Sequence, residues 1–460
     1  MMLGLSKAAR ENQANRPPGH ALPAGLATLA LLLMGGLSGC GEDAADGEAG
    51  SQSAASSSVN EPGATDQAMV DKLLKKAVAQ EKAGDAKGAI ELVSQVIGND
   101  PGNSRAFKVR ADIYAGLRQD ANALADYSAA IRIDPKDVRW LNARGFFLFT
   151  RGKRDAALRD LDAAITLDAG NSEALNNRGL LRVGQQDYKR AIADFSQAIE
   201  ADAKFADAWN NRGFAHFRSD QHAKALKDFD TALACDPKFV MAYNNRALLR
   251  IARKEYRQAV ADCSSAIELS GDNPRFYQLR REAYRRLGKS KEALADSEKL
   301  AWLIKYQRLS SRVASAPRQA SGYIQRARHL AQEGRSGAAL ADYQRAIKVD
   351  PKQANEAYLA RARYWIAKKD WKQATVDCSR ALEAGGGFAA WSLRGEAHMH
   401  QGHWDLAIAD FAKARRFDTV VAGVYAKRAS VHESAGRKAE AAADRKRAAE
   451  LDPERFGKTP

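Results

Sequence analysis

The 460-residue chain is poor in residues that interrupt helices and in residues that cross-link small domains, with 12 prolines and 4 cysteines. Scarce proline favours long helical segments, because proline removes a backbone donor and breaks helix interiors. Three cysteines follow Cys40, and an odd number does not describe a disulfide framework. Cys263 and Cys378 occupy places where a buried apolar group is usual, so we expect inert core thiols there.

Motifs that carry chemistry are also missing. No Gly-rich phosphate loop, nucleophile elbow or paired-carboxylate constellation stands outside the repeated positions. His398, His400 and His403 are spaced by two and three residues, which does not place them on one helix face. The sequence therefore predicts neither an enzyme nor a cofactor nor a metal site. The absence of a nucleic-acid motif also argues against a nucleic-acid partner.

The first 40 residues have the order of a secretory signal, with basic residues followed by an apolar stretch. Its end, Leu37-Ser38-Gly39-Cys40, resembles the lipobox of bacterial lipoproteins. The resemblance implies cleavage before Cys40, a diacylglycerol on its sulfur, and an exported protein anchored to a bacterial membrane. An uncleaved anchor is the alternative, but the apolar stretch is short and interrupted for a spanning helix. Gly41 favours the periplasmic face of the outer membrane.

Charge is divided unevenly along the chain. Residues 40–69 hold six acidic and no basic residues, and their Ser, Ala and Gly content predicts a disordered tether. The formal net charge is nevertheless +16, so the positive excess lies from residue 70 onward. A basic exported body suits contact with an anionic surface or an acidic glycan.

A 34-residue period organises the rest of the chain, as the spacing of Asp100, Asp134, Asp168, Asp202 and Asp236 shows. We number places 1 to 34 from residue 70, so repeats begin at 70, 104, 138, 172, 206, 240, 274, 320, 355, 388 and 422. Place 20 is alanine in all eleven repeats, and place 8 is Gly or Ala in ten. Small residues at fixed places let paired helices approach closely.

The fifth repeat has Trp209, Gly213, Ala225, Phe229 and Pro237 at fixed places, and this pattern resembles the tetratricopeptide-repeat family. The resemblance implies an all-α solenoid, a right-handed superhelix of antiparallel helix pairs, with helix A and helix B in each of about eleven repeats. We predict a signal peptide over 1–39, the acylated tether over 40–69, seven repeats over 70–305, a hinge or extended helix over 306–319, four repeats over 320–454 and a tail over 455–460.

Arginine and aspartate recur together in ten of the repeats. Place 7 is Arg and place 23 is Asp in the same ten, whereas the first repeat has Lys76 and Leu92 instead. Joint presence and joint absence predict contact between helices A and B through a bidentate ion pair. We interpret these residues as structural, and the pairs of the fourth to sixth repeats are Arg178 with Asp194, Arg212 with Asp228 and Arg246 with Asp262.

Helix A lines the concave surface in this family, and places 2, 5, 6, 9, 12 and 13 face it. In the third to sixth repeats, places 5 and 6 are rich in asparagine, and places 9 and 12 are apolar. Amide rows can follow the backbone of an extended peptide over an apolar floor. The alternative is that the apolar places pack against neighbouring helices and the asparagines cap turns. The predicted groove residues are Asn142, Asn176, Asn177, Asn210, Asn211, Asn244, Asn245, Phe146, Phe149, Leu180, Phe214, Phe217 and Leu248.

Together these features predict a membrane-anchored scaffold or adaptor of the bacterial cell envelope. It would bind a segment of an envelope protein in the concave groove and reach the membrane through the acyl chain on Cys40. The alternative hypothesis is a structural or assembly component that self-associates or contacts anionic envelope surfaces without a specific peptide ligand.

Overall fold

The computed structural model describes residues 64–351 and 354–457, and the predicted signal peptide and lipidation site lie outside these ranges. The described residues contain helices and no strands, which confirms the predicted all-α fold. None of these helices combines the length and the apolar character needed to cross a membrane.

Helices of 10 to 26 residues alternate along the described residues as eleven A and B pairs, followed by one short helix. The first six pairs are α1 (Ala64–Lys82) and α2 (Ala86–Asn99), α3 (Ser104–Gly116) and α4 (Asp120–Ile133), α5 (Val138–Thr150) and α6 (Arg154–Leu167), α7 (Ser172–Gly184) and α8 (Tyr188–Ala201), α9 (Ala206–Arg218) and α10 (His222–Cys235), and α11 (Val240–Ala252) and α12 (Tyr256–Ser270). The remaining helices are α13 (Pro274–Arg286) and α14 (Ser290–Ser315), α15 (Ala320–Gln332) and α16 (Ser336–Val349), α17 (Ala354–Ala367) and α18 (Trp371–Glu383), α19 (Phe388–His400) and α20 (Trp404–Lys413), α21 (Thr419–Ser434) and α22 (Lys438–Leu451), and α23 (Pro453–Phe456).

The described residues form two compact units. The N-terminal unit contains residues 64–271 and 282–290, and the C-terminal unit contains residues 272–281, 291–351 and 354–457. Helix α14 is 26 residues long and ends at Ser315, two residues before Pro317, as the apolar run 300–304 and that proline predict. The division of the repeats into blocks at 306–319 stays a prediction.

Small side chains explain how the two helices of each pair approach. The alanine at place 20 is buried in every repeat. Glycine at place 8 faces a large residue at place 24 of helix B, and a Cβ added at Gly179 would lie 2.5 Å from Phe195 Cε1. The large ring therefore fills the space that a side chain at Gly179 would need.

The turn from helix A to helix B has one shared backbone feature. Place 15 adopts a positive φ in all eleven repeats. Six repeats have glycine there, as at Gly152, whereas five have a residue with a side chain, such as Arg118 or Gln186. The left-handed conformation costs a residue with a Cβ roughly 1 kcal/mol or more, so the packing of the flanking helices imposes this turn.

Most of the ten Arg and Asp pairs connect more than the two helices of a repeat. Each arginine at place 7 donates to the carboxylate at place 23 of its own helix B, and Arg212 Nε and Nη2 lie 2.9 and 2.8 Å from the Asp228 oxygens. Arg212 Nη1 also donates to Ser196 Oγ, at place 25 of the preceding helix B, over 3.2 Å. Its guanidinium lies 4.7 Å from the Trp209 ring centroid at place 4, in cation–π contact. One side chain thus joins three helices.

We expect opposite effects from alanine at two glycines. Gly179→Ala should lower the free energy of unfolding by about 1–3 kcal/mol, because the added methyl group overpacks against Phe195. Gly423→Ala, in the second turn of α21 with nothing within 4 Å of the new Cβ, should raise it by about 0.5–1 kcal/mol. Urea unfolding of the two variants and the parent chain measures both effects. A stabilised Gly179→Ala variant would contradict this account of the helix contact.

Candidate binding groove

The predicted groove lies within the N-terminal unit, on helices α5, α7, α9 and α11. These are the A helices of the third to sixth repeats. Places 5, 9 and 12 are three or four residues apart, so their side chains share one face of each helix. The asparagines at places 5 and 6 and the apolar residues at places 9 and 12 form two rows along these helices.

Side-chain hydrogen bonds join the asparagines from one repeat to the next. The amide at place 6 donates Nδ2 to Oδ1 at place 5 of the preceding repeat. The three bonds, 2.8, 2.9 and 2.9 Å long, run from Asn177 to Asn142, from Asn211 to Asn176 and from Asn245 to Asn210. Asn210 and Asn244 also donate to the adjacent Asn211 and Asn245 over 3.2 Å.

This amide ladder differs from the expectation that the asparagines stand free to contact a peptide. Six of the seven are buried, and Asn177 is half-buried. Burial requires amide groups to find partners, and the side chains one repeat away supply them. Most donors and acceptors of the ladder are therefore already used inside the protein.

Three amide atoms of the ladder have no hydrogen-bond partner among the described residues. Asn176 Nδ2 and Asn177 Oδ1 are free, whereas the corresponding Asn142 Nδ2 donates to Glu173 Oε2 over 3.0 Å. At the other end, Asn244 Oδ1 is buried and unpaired. The place that would supply its donor in the next repeat is occupied by Leu279. The fourth repeat thus keeps one amide donor and one amide acceptor without a partner.

The apolar row is divided between packing and exposure. Phe214 is buried at 5% exposure against Ala225, Phe229 and Leu249. The other five predicted residues of the row, Phe146, Phe149, Leu180, Phe217 and Leu248, are half-buried. Phe217 and Leu248 pack at the edge of the Phe214 cluster. Phe149 and Leu180 also pack against buried clusters. The packing alternative therefore describes Phe214 fully and these residues in part, and the five half-buried residues keep only part of their apolar surface exposed.

Charge is sparse along this part of helix A. Asp207, at place 2 of the fifth repeat, is half-buried, and burial and the nearby Asp236 raise its pKa. Arg139 pairs with Asp137, and Arg218 lies over the rings of Tyr188 and Phe214. The groove therefore combines amide and apolar surface with few unpaired charges.

Comparison with protein families supports the interpretation of the repeats. Two family models, both described as "Tetratricopeptide repeat", match residues 74–138, 148–204, 177–238 and 215–274 in one case and residues 320–353 in the other. These stretches include helices α7, α9 and α11 of the groove, whereas residues 139–147 of helix α5 lie outside them. The chain carries tetratricopeptide repeats.

Solved tetratricopeptide-repeat structures resemble parts of the chain. A protein from Parabacteroides merdae is 22% identical over 50% of this chain and 92% of its own, with a TM-score of 0.40. PilF of Pseudomonas aeruginosa is 16% identical over 47% and 98%, with a TM-score of 0.40. PilW, a type IV pilus biogenesis factor, is 18% identical over 46% and 98%, with a TM-score of 0.41. No curated protein gives a significant sequence match.

The predicted ion pairs border the groove in these tetratricopeptide repeats. Arg178 Nη2, Arg212 Nη2 and Arg246 Nη2 lie 2.7, 2.8 and 2.6 Å from Asp194, Asp228 and Asp262. These three aspartates are 2–3% exposed. Arg178 and Arg246 also contact Asp162 and Asp230 of the preceding repeat. The pairs are internal, and their charges are not available to a ligand.

Place 11 supplies a second partner of the buried aspartates that the sequence analysis did not assign. Arg182 and Arg250 pair there with Asp194 and Asp262 at 2.6 and 2.7 Å. In three other repeats place 11 is histidine, and His216 Nε2 lies 3.7 Å from Asp228. The recurrence of Arg or His at place 11, twelve residues before the aspartate at place 23, is a signal in the period itself.

The three closely spaced histidines of the tenth repeat have separate surroundings. His398 Nε2 lies 3.8 Å from Asp410, and the His400 ring stacks on Trp371 at 4.0 Å. His403 precedes helix α20, and its ring centroid is 5.8 Å from that of His398. Among residues 64–351 and 354–457, no three His, Cys, Asp or Glu side chains are grouped to hold a metal ion.

The thiols also have distinct surroundings. Cys263 and Cys378 are buried, and Cys235 is exposed. Burial raises the pKa of the Cys378 thiol to about 12. A thiol with a raised pKa stays protonated near neutral pH and is a poor nucleophile. Cys378 therefore has the character of a core residue.

Stability should fall on acidification through His216. Burial lowers the pKa of His216, and Arg212 and Lys224 lower it further, against the opposing effect of Asp228. The folded state then binds fewer protons than the unfolded state, so stability is complete above about pH 6.5 and declines below it. His216→Arg, which places the side chain of Arg182 and Arg250 at the same place, should reduce this decline. Urea unfolding at pH 7.5 and 5.5 measures the decline in both chains. If His216→Arg leaves the pH dependence of the unfolding free energy unchanged, His216 is not its cause.

Proposed function

We propose that the chain is a membrane-anchored interaction scaffold of the bacterial cell envelope, an adaptor that binds a segment of another envelope protein along helices α5, α7, α9 and α11. The observation that carries the proposal is the half-buried apolar row beside the free amide atoms of Asn176 and Asn177. A contiguous row of partly exposed apolar side chains is typical of a docking site.

The apolar row and the free amide atoms would contact different parts of the partner segment. Apolar side chains of the partner would cover Phe146, Leu180 and Phe217, and each Å² removed from water contributes roughly 25 cal/mol. Asn176 Nδ2 would donate to a backbone carbonyl, and Asn177 Oδ1 would accept from a backbone N–H. The bonded amides of the ladder hold this surface in place before binding, which lowers the ordering cost.

The internal use of most asparagines and the burial of Phe214 favour a second candidate, a structural component that associates with other copies of the chain. Such association would cover the same apolar row without recognising a specific peptide. In the first candidate a different envelope protein contacts the apolar row, and in the second another copy of the chain contacts it.

Photocrosslinking distinguishes these candidates. A photoreactive amino acid at position 146 or 180 should form a covalent adduct with a different envelope protein in the cells that make the chain. The matched control is position 167, where Leu167 is 50% exposed at the end of α6, a helix B of the same unit. Adducts with a second copy would favour the structural candidate. Equal adducts at 146, 180 and 167 would contradict a binding role for the row.

Anchoring through Cys40 is a separate part of the proposal. Cys40→Ser removes the sulfur that would carry the diacylglycerol, so the variant should appear in the soluble fraction, whereas the parent chain should sediment with membranes. Fractionation followed by detergent extraction measures the change. Replacing the exposed Cys235 with Ser is the control and should leave the distribution unchanged. Retention of Cys40→Ser on membranes would exclude lipidation as the anchor.

A further inference from the structure

Unpaired basic side chains follow the A helices of the C-terminal unit. Arg328 on α15 and Arg363 on α17 occupy place 9 of two successive repeats. Both are exposed, and neither forms an ion pair or a side-chain hydrogen bond with the described residues. The same place in the third to sixth repeats is apolar, so this surface has a different chemistry from the groove of the N-terminal unit.

Most acidic side chains on this face are already neutralised. Glu396, at place 9 of the tenth repeat, accepts from Arg416 Nη1 over 2.6 Å. Glu433, at place 12 of the last repeat, pairs with Arg445. Glu356 is exposed and has no cation partner among the described residues. Lys427 on α21 and Arg455 on α23 add two more exposed cations without an acidic partner, so positive charge dominates the face.

A cavity of about 320 Å³ opens on the same face, between α19 and α21. Met399, Trp404, Val420 and Val424 supply apolar lining, and Lys427 and Arg455 are among its other lining residues. Gly423 also lines it, and nothing lies within 4 Å of the position that a Cβ would occupy there. The volume is at the lower end of the range for ligand pockets, which suits a single large side chain better than a whole cofactor.

We propose that this face of the C-terminal unit binds an acidic protein segment that inserts one large apolar side chain into the cavity beside Gly423. Carboxylates of the partner would contact Arg328, Arg363, Lys427 and Arg455, because complementary charge steers and orients association. The apolar side chain would lose its contact with water against Trp404 and Val424. This surface is separate in sequence from the groove of the proposed function.

The chain itself contains an acidic segment, but that segment fits the site incompletely. Residues 41–66 contain six acidic and no basic residues, and their largest aliphatic side chain is Val59. They contain no Leu, Ile, Met, Phe or Trp. The segment therefore supplies the charge and lacks the large apolar side chain, which favours a different protein as the occupant.

The test uses the full-length chain and fluorescent 12-residue peptides of Glu and Asp with one central Phe. The parent peptide should bind, with an affinity that falls as salt is raised from 0.05 to 0.5 M. Replacing the Phe with Ser should weaken binding about tenfold or more, as expected when one large apolar side chain is no longer buried. A peptide with Lys at all acidic positions should not bind measurably.

Variants of the chain locate the site. Arg328→Glu combined with Arg363→Glu should weaken binding at least about tenfold at low salt. The matched control is Arg345→Glu combined with Arg380→Glu, which makes the same charge change at exposed arginines on the B helices of the same two repeats. This control should change binding by less than about threefold, since the repelling charges lie on the other helix of each pair.

Gly423→Leu tests the cavity separately from the charges. Because nothing lies within 4 Å of a Cβ at this position, the leucine should occupy the cavity. The variant should lose the preference for the Phe peptide over the Ser peptide, and its unfolding midpoint should be unchanged or raised. The proposal is overturned if the two double variants weaken binding equally, if the Lys peptide binds as well as the acidic one, or if Gly423→Leu retains the Phe preference. A peptide of residues 41–66 that matches the Phe peptide in affinity would overturn the requirement for an apolar anchor.

Discussion

The guanidinium at place 7 is the constraint on which the rest of the array depends. Its partner carboxylate at place 23 is at most 7% exposed in all ten repeats that have the pair. A buried carboxylate without its cation costs about 3–5 kcal/mol, so neither residue can change alone. Because Nη1 reaches the preceding helix B, as from Arg110 to Ser94 or from Arg144 to Ser128, the same group that closes one repeat also attaches it to its neighbour.

The amide ladder also joins successive repeats through side-chain hydrogen bonds, here at the groove. Neutral amides bonded across repeats stabilise the stacking of adjacent A helices without adding charge to the concave face. Apolar residues on either side can then stay partly exposed on a fixed surface. The A-helix face of the C-terminal unit is built on an equivalent framework of Arg and Asp pairs, but cations occupy its outward places. One repeat pattern therefore supports two surfaces of different chemistry.

Periodicity explains what the sequence could predict. The recurring positions predicted the alternation of helix pairs, and the joint occurrence of Arg and Asp indicated contacts that the structure places between 2.6 and 3.2 Å. The bonds of the asparagines were not foreseen, because hydrogen-bond satisfaction depends on whether the repeat spacing brings place 6 within reach of place 5. Burial of Phe214 depends on the large Phe229 and Leu249 beside it, and the half-buried Phe217 of the same helix has no such enclosure. The positive φ at Arg118 and Gln186 could not be predicted from the sequence, because neither residue is the glycine that usually marks such a turn.

The first repeat lacks the guanidinium and the carboxylate, with Lys76 and Leu92 in their places. It is joined to the second repeat by a buried apolar cluster that includes Val93, Ala106 and Ile113, by Arg105 with Asp71 at 2.8 Å, a pair that is 37% exposed on both sides, and by the Arg110 bond to Ser94. Exposed ion pairs contribute little to stability. An internal repeat, in contrast, packs against a neighbouring repeat on each side. In a linear array an end repeat packs against one neighbour instead of two, so we expect helices α1 and α2 to open at a lower free energy than the repeats that follow them. Local opening should be most frequent in these two helices and less frequent toward the asparagine ladder. The groove would then lie in a part of the N-terminal unit that opens less often than its first repeat.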